Sequence, residues 1–172
     1  MTKPTVVVTK VTDVELMRKA CAFTINKDSK MSLKNIYKCE HSPMRTQMFT
    51  VEMYNIPTFV SVHFVRHKIW CEHFVKTNRD DRESYTGDNG RWQPVNHMMF
   101  CNSQALITMA QSRLCLKSHI ETVKIMELIK SSVKLVDPDL YEYMVPKCLY
   151  RNGCYELKTC GYYNKFMRIM GM

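Results

Sequence analysis

The feature that most constrains this chain is a strict alternation over residues 46–54. Phe49, Val51 and Met53 fall on one side, and Thr50, Glu52 and Tyr54 on the other. Successive side chains of a strand leave by opposite faces, so a period of two with one apolar side marks a half-buried strand. Asn55-Ile56-Pro57 reads as the turn that ends it.

The flanking segments supply further elements. Thr5-Val6-Val7-Val8-Thr9 is β-branched and predicts a first strand. Thr12-Asp13-Val14-Glu15 has the form of a capping box, opening a helix whose inner face is Val14, Met17, Ala20 and Cys21 and which fades at Asn26-Lys27-Asp28. A short helix over 32–38 follows, and Pro43 breaks the pattern after Cys39-Glu40-His41-Ser42. Residues 57–67 admit two readings: their β-branched side chains favour a strand, while Pro57 and the spacing of Phe59, His63 and Arg66 favour a helix. Residues 72–94 are polar, with Thr86-Gly87-Asp88-Asn89-Gly90 as a loop and Arg79, Asp80, Asp81 and Arg82 reading as solvated surface.

Residues 96–117 predict a helix burying Met99, Ala105, Leu106, Met109 and Leu114. Ser118-His119-Ile120-Glu121 is a second capping box, and the helix it opens carries Val123, Ile125, Met126, Ile129 and Val133 before stopping ahead of Asp137-Pro138. With 172 residues, no internal repeat and no dividing linker, the chain reads as one domain over 1–172. Residues 146–172 form a cysteine-containing C-terminal loop or lid in this reading.

Charge and cysteines narrow the function. A net charge of +9 points to an anionic partner, whether nucleotide, nucleic acid or acidic cofactor. No apolar run approaches the roughly 18 residues that cross a bilayer, and Met1-Thr2-Lys3-Pro4 does not open a secretory signal. Eight cysteines without such a signal are read as reduced thiols in the cytoplasm.

One basic cluster stands out. Phe64-Val65-Arg66-His67-Lys68-Ile69-Trp70-Cys71 closes an apolar run with three successive basic side chains. Glu40-His41 lies upstream, and Asn102 and Arg113 stand eleven residues apart downstream. This ordered set resembles the flavin-dependent thymidylate synthases, whose signature is R-H-R-x-x-S-x-N-E-x-S-x-R-Y. Arg66-His67 match its first two positions and Lys68 replaces the last Arg of the triplet. Glu40-His41 resembles the family's upstream Glu-His pair, and Asn102 and Arg113 its helical Asn and Arg. The likeness extends from about residue 12 to about residue 135.

The departures concentrate in the second half of the signature. His73 and Phe74 stand at its Asn-Glu, Lys76 at its Ser and Asn78 at its following Arg. His63 replaces a Gln ahead of the triplet, and Gln104 an Arg after the helical Asn. An inserted turn would instead bring in Arg82-Glu83-Ser84-Tyr85.

The resemblance implies an α+β single domain, mainly an antiparallel sheet packed with long helices. It also implies a homotetramer holding FAD, with NADPH and methylenetetrahydrofolate as co-substrates and no cysteine nucleophile. The reaction implied is transfer of a one-carbon unit to C5 of a pyrimidine deoxynucleotide, most simply dUMP to dTMP. By resemblance His41, Arg66, His67, Lys68, Asn102 and Gln104 face the flavin. His63, Arg66, Lys76, Asn78, Arg82 and Arg113 face the nucleotide, with Arg113 as the catalytic cation.

The residue types suit that chemistry. Adjacent Arg, His and Lys offer charge-assisted donors to a pyrophosphate, and Lys68 does so as a point charge without the bidentate fork of Arg. A fixed cation beside a pyrimidine stabilises negative charge developing on its ring. Two alternatives stay open: a flavin enzyme with an altered pyrimidine substrate or product, such as hydroxymethylation, and a non-catalytic basic module for nucleotides or nucleic acid. The basic residues are not interleaved with an exposed aromatic platform, which argues against stable nucleic-acid binding. Cys148, Cys154 and Cys160, with Cys115 or His119 as a fourth ligand, lack the tight pairing of common zinc sites and read as lid thiols. Cys71, with His73 as its sole nearby base, reads as packing.

Overall fold

The computed structural model describes residues 3–85, 87 and 90–171. Thr86, Asp88 and Asn89 of the expected loop lie outside the described residues. The chain opens with β1 (Thr5–Lys10), α1 (Val14–Ile25), α2 (Leu33–Lys38) and a 3-10 turn over Ser42–Thr46. It continues through β2 (Met48–Pro57), α3 (Thr58–Val65), β3 (Cys71–Val75), β4 (Pro94–Asn102), α4 (Ser103–Arg113) and α5 (Ile120–Val136). Three short helices complete it: α6 (Pro138–Tyr143), α7 (Lys147–Tyr150) and α8 (Tyr162–Ile169). The described strands form an antiparallel sheet in the order β1-β2-β4-β3, so the α+β architecture holds. No described helix is long and apolar enough to cross a membrane.

The alternating segment is the central strand β2. Phe49, Val51 and Met53 are buried, and β4 adds Met99 and Cys101 to the same covered face. Helices α4 and α5 close that core with Leu106, Ile107, Met109, Met126, Ile129 and Val133. Within residues 57–67 the helical reading holds for Thr58–Val65, with Pro57, the last residue of β2, as N-cap at a fixed φ of −59°.

Three elements differ from the sequence reading. Asn55 does not end β2: it takes a left-handed φ of 56° inside a register shift between Met53 and Ile56, and pairing resumes at Ile56↔Val95. The shift is a bulge, which Asn tolerates because its short polar side chain accommodates the left-handed region. The expected helix over 96–117 is two elements. Residues 94–102 pair with both β2 and β3, and helix begins only at Ser103, where Asn102 accepts the Ala105 N–H at 3.0 Å. The polar stretch from residue 72 contains β3, whose strand state is imposed by pairing with β4.

Both capping boxes shift by one residue. Asp13, not Thr12, caps α1 by accepting from Leu16 N–H at 3.1 Å. The Thr12 hydroxyl instead ties the start of β2, donating to Thr46 C=O and accepting from Met48 N–H. His119, not Ser118, caps α5.

Candidate functional site

The end of α3 sets the site. Arg66 terminates that helix, His67 closes a last turn by donating its N–H to Phe64 C=O, and Trp70 takes a left-handed φ of 60° before β3 begins. The five residues Arg66 to Trp70 form one wall of a groove open to solvent, about 490 Å³ with the solvent-facing space included, and Gln104, Ala105 and Thr108 of α4 form the other. Arg66 and Lys68 are exposed, and neither forms an ion pair among the described residues.

His67 is fixed from behind. The Arg113 Nε–H donates to His67 Nε2 at 3.0 Å, and its Nη2 donates to His63 C=O at 2.7 Å. An imidazole nitrogen that accepts from a guanidinium carries no hydrogen, so the His67 ring is neutral with its hydrogen on Nδ1. Burial first, then the charge of Arg113, pulls its pKa down to about 4. Arg113 is itself lowered by burial and by Arg66.

Behind this pair runs a chain of polar groups. His73 Nε2 donates to His67 C=O at 2.9 Å, since a carbonyl only accepts. His73 Nδ1 lies 3.0 Å from His97 Nε2, and His97 Nδ1 lies 3.0 Å from the Ser61 hydroxyl. Both Ser61 and His97 are buried, and burial lowers the His97 pKa to about 4. His63 Nδ1 stands 2.8 Å from Thr122 Oγ1.

Glu40 joins the groove to the rest of the chain. It sits at a left-handed φ of 48°, where its carboxylate accepts from Gln104 Nε2 on one oxygen and from the Tyr150 hydroxyl on the other. The adjacent His41 has a buried Nδ1 with no hydrogen-bond partner among the described residues.

Arg66, His67, Lys68 and Gln104 are thus brought together around one groove. Asn102 lies buried behind it as the α4 cap, and Arg113 reaches it through His67. Lys76 lines a separate cleft with Glu52, Tyr54 and Phe74. Asn78 accepts from Gln93 Nε2 at 3.3 Å, and Arg82 is exposed within the connection from β3 to β4. Trp70 and Thr108 join the site without having been singled out for it, and the carboxylate of Glu40, named in the sequence as half of the upstream Glu-His pair, meets the groove through Gln104. For Trp70 the signal was available: a large aromatic side chain directly after a basic triplet.

A groove with two unpaired cations, a neutral imidazole donor, a carboxamide and an indole wall suits a flavin dinucleotide. The cations and donors match a pyrophosphate and the apolar wall a ring system. Arg66, His67, Lys68 and Gln104 would hold such a group, and the unpartnered Nδ1 of His41 is a further polar atom without an internal use.

The fold is that of the flavin-dependent thymidylate synthases. It matches thymidylate synthase X from Helicobacter pylori, solved with FAD and dUMP, at a TM-score of 0.66 and 12% identity, covering 86% of this chain and 99% of that one. A second structure of that enzyme with FAD and dUMP gives 0.68 at 11% identity, covering 82% and 99%. The UMP/dUMP methylase PolB from Streptomyces cacaoi, bound with 5-Br dUMP, gives 0.64 at 13% identity, covering 83% and 95%. At the level of sequence, no family model and no curated protein matches the chain.

Proposed function

We propose that this protein is a flavin-dependent enzyme that transfers a one-carbon unit from methylenetetrahydrofolate to C5 of a pyrimidine deoxynucleotide, most simply dUMP to dTMP. The observation that carries this reading is the groove built by Arg66, His67, Lys68 and Gln104 on a fold shared with enzymes solved with FAD and dUMP. Bound FAD supplies the redox chemistry, with NADPH as reductant. The chain supplies position and charge. Arg66 and Lys68 meet the phosphates, His67 donates from Nδ1 as a neutral ring, and Arg113 holds that ring in its tautomer. Because Arg113 already gives two of its donors to His67 and the His63 carbonyl, its electrostatic role toward a pyrimidine falls to the remaining nitrogen.

Titration with FAD tests the reading directly. A purified protein that shows no flavin absorbance and gives no saturable binding overturns it. Arg66→Ala and Lys68→Ala each remove a charge-assisted contact, and each is expected to weaken FAD binding by about ten-fold.

A variant substrate or product is favoured by one observation. His73 stands where the family signature has Asn, and its Nε2 is committed to the His67 carbonyl. The pyrimidine contacts therefore differ from those of the signature, and altered polar contacts change which base a pocket accepts. Product analysis with dUMP, UMP and dCMP separates these outcomes. By resemblance the working form is a homotetramer, which light scattering checks. The free state of all eight cysteines suits a reducing, cytoplasmic setting.

A further inference from the structure

Two thiols that the proposed chemistry does not use face each other just beyond the groove. Cys71 opens β3, and Cys101 is its direct partner on β4. One residue outside the pair on each strand, the Asn102 N–H donates to Trp70 C=O at 3.2 Å. That bond places Cys71 and Cys101 at a non-hydrogen-bonded position of the ladder. The Lys76 N–H to Asn96 C=O bond, 2.9 Å, five residues along, falls in the matching alternate phase. At such positions Cα atoms stand about 4.5 Å apart and the side chains are at their closest. A disulfide spans Cα separations from about 4.4 Å upward, so the pair can be bridged at the tight end of the range without moving the backbone.

The two thiols are chemically unequal. Cys71 is 5% exposed and Cys101 is completely buried. On the ladder the Cys101 thiol faces Cys71 directly, and His73 follows two residues along the same strand. The Cys101 thiol facing it and the nearby His73 ring draw the Cys71 thiol down against burial, while the same pairing and burial push the Cys101 thiol up. A lowered thiol at the less enclosed position, with a protonated thiol directly across the ladder, is the arrangement of an attacking and a resolving cysteine.

We propose that Cys71 and Cys101 form a hydroperoxide-sensitive dithiol whose oxidation latches the start of β3 to the end of β4. The Cys71 thiolate attacks one peroxide oxygen, the O–O bond breaks, and the released hydroxide takes up a proton to leave as water. Cys71 is then a sulfenic acid. The Cys101 sulfur attacks the Cys71 sulfur, the S–O bond breaks, and the hydroxyl departs as a second water with the proton of Cys101. The two thiols lose two electrons in total, and hydrogen peroxide is reduced to two waters. A dithiol reductant reverses the bridge by exchange. The latch acts on the groove wall, because Cys71 follows Trp70 and Cys101 precedes Asn102, the cap of the helix carrying Gln104. It does not depend on the flavin reading.

The test uses the full chain treated with hydrogen peroxide and digested without reductant. The expected result is loss of two of the eight thiols and a peptide pair joined through Cys71 and Cys101. In Cys101→Ser, Cys71 is expected to stop at a sulfenic acid that dimedone traps. In Cys71→Ser, Cys101 is expected to stay unreacted. Trypsin cleavage after Arg66 and Lys68, normalised to cleavage after the exposed Arg151, is expected to slow several-fold on oxidation and to recover with dithiothreitol. Oxidation that joins other cysteines, or Cys71 unmodified in the wild-type chain, overturns the dithiol. Unchanged cleavage after a proven bridge overturns the latch. The wild-type peptide map requires no variant to fold.

Discussion

At the scale of single residues, Arg113 and His67 carry the most information. Arg113→Ala removes a guanidinium that satisfies both the ring and the His63 carbonyl. Losing charged hydrogen bonds in a half-buried setting costs about 2 to 4 kcal/mol, measurable by urea unfolding. The same substitution frees Nε2 and removes a nearby positive charge, so the His67 pKa should rise from about 4 toward its ordinary value, followed by ring-proton NMR. An unmoved titration would detach Arg113 from the tautomer argument. Asn102→Ala should cost about 1 kcal/mol through the lost cap. These two residues were legible in the sequence as positions, but not in their local duties. A spacing of eleven residues places Asn102 and Arg113 in relation to a motif; it says nothing of which N–H or ring nitrogen each meets.

At the scale of elements, alternation was readable where the side chains were unambiguous and misleading where they were not. Phe49, Val51 and Met53 against Thr50, Glu52 and Tyr54 admit one period only. Met98-Met99-Phe100-Cys101 admits two, since unbranched Met suits a helix as readily as a strand. The helical pattern of Ala105, Leu106 and Met109 then drew residues 96–102 into a helix that begins at Ser103. β3 was hidden for another reason: five residues with polar Glu72 and His73 among them become a strand because β4 offers a partner. Burial separates the two faces of β4 energetically. Met99 is fully buried, so Met99→Ala should lower stability by about 2 to 5 kcal/mol. Thr50→Ala, on the opposite face of the paired strand, should shift it by less than about 1 kcal/mol; equal losses would contradict the assignment of faces.

At the scale of the whole molecule, one buried carboxylate ties distant parts together. Asp137 accepts from Lys10 Nζ and from the Tyr37 hydroxyl, each at 2.7 Å, and caps α6 through Leu140 N–H at 3.0 Å. Asp137→Ala leaves Lys10 and Tyr37 without their partner and should destabilise the fold by about 3 to 5 kcal/mol. Acid should act on the histidines. His67 and His97 are held at about 4 in the folded chain against 6.5 for an unperturbed ring. The unfolded chain therefore binds protons that the folded chain refuses. Their contribution to stability is complete above about pH 6.5 and is lost as pH falls toward 4. Burial opposes the charged form of His73, but its hydrogen bond to the His67 carbonyl and the nearby Cys71 and Glu72 raise it on balance, so it works in the opposite sense. Urea midpoints measured from pH 7 to pH 4 should fall across that window, with a shallower decline in His97→Gln. Glu40 has a different consequence. Residues 147–171 contain no buried side chain, and one of their anchors is the oxygen of a carboxylate whose other oxygen belongs to the groove wall. Two tenants thus share one lease: a swing of that single side chain unsettles the C-terminal helices and the helix bearing Gln104 together, and neither can be adjusted without the other registering it.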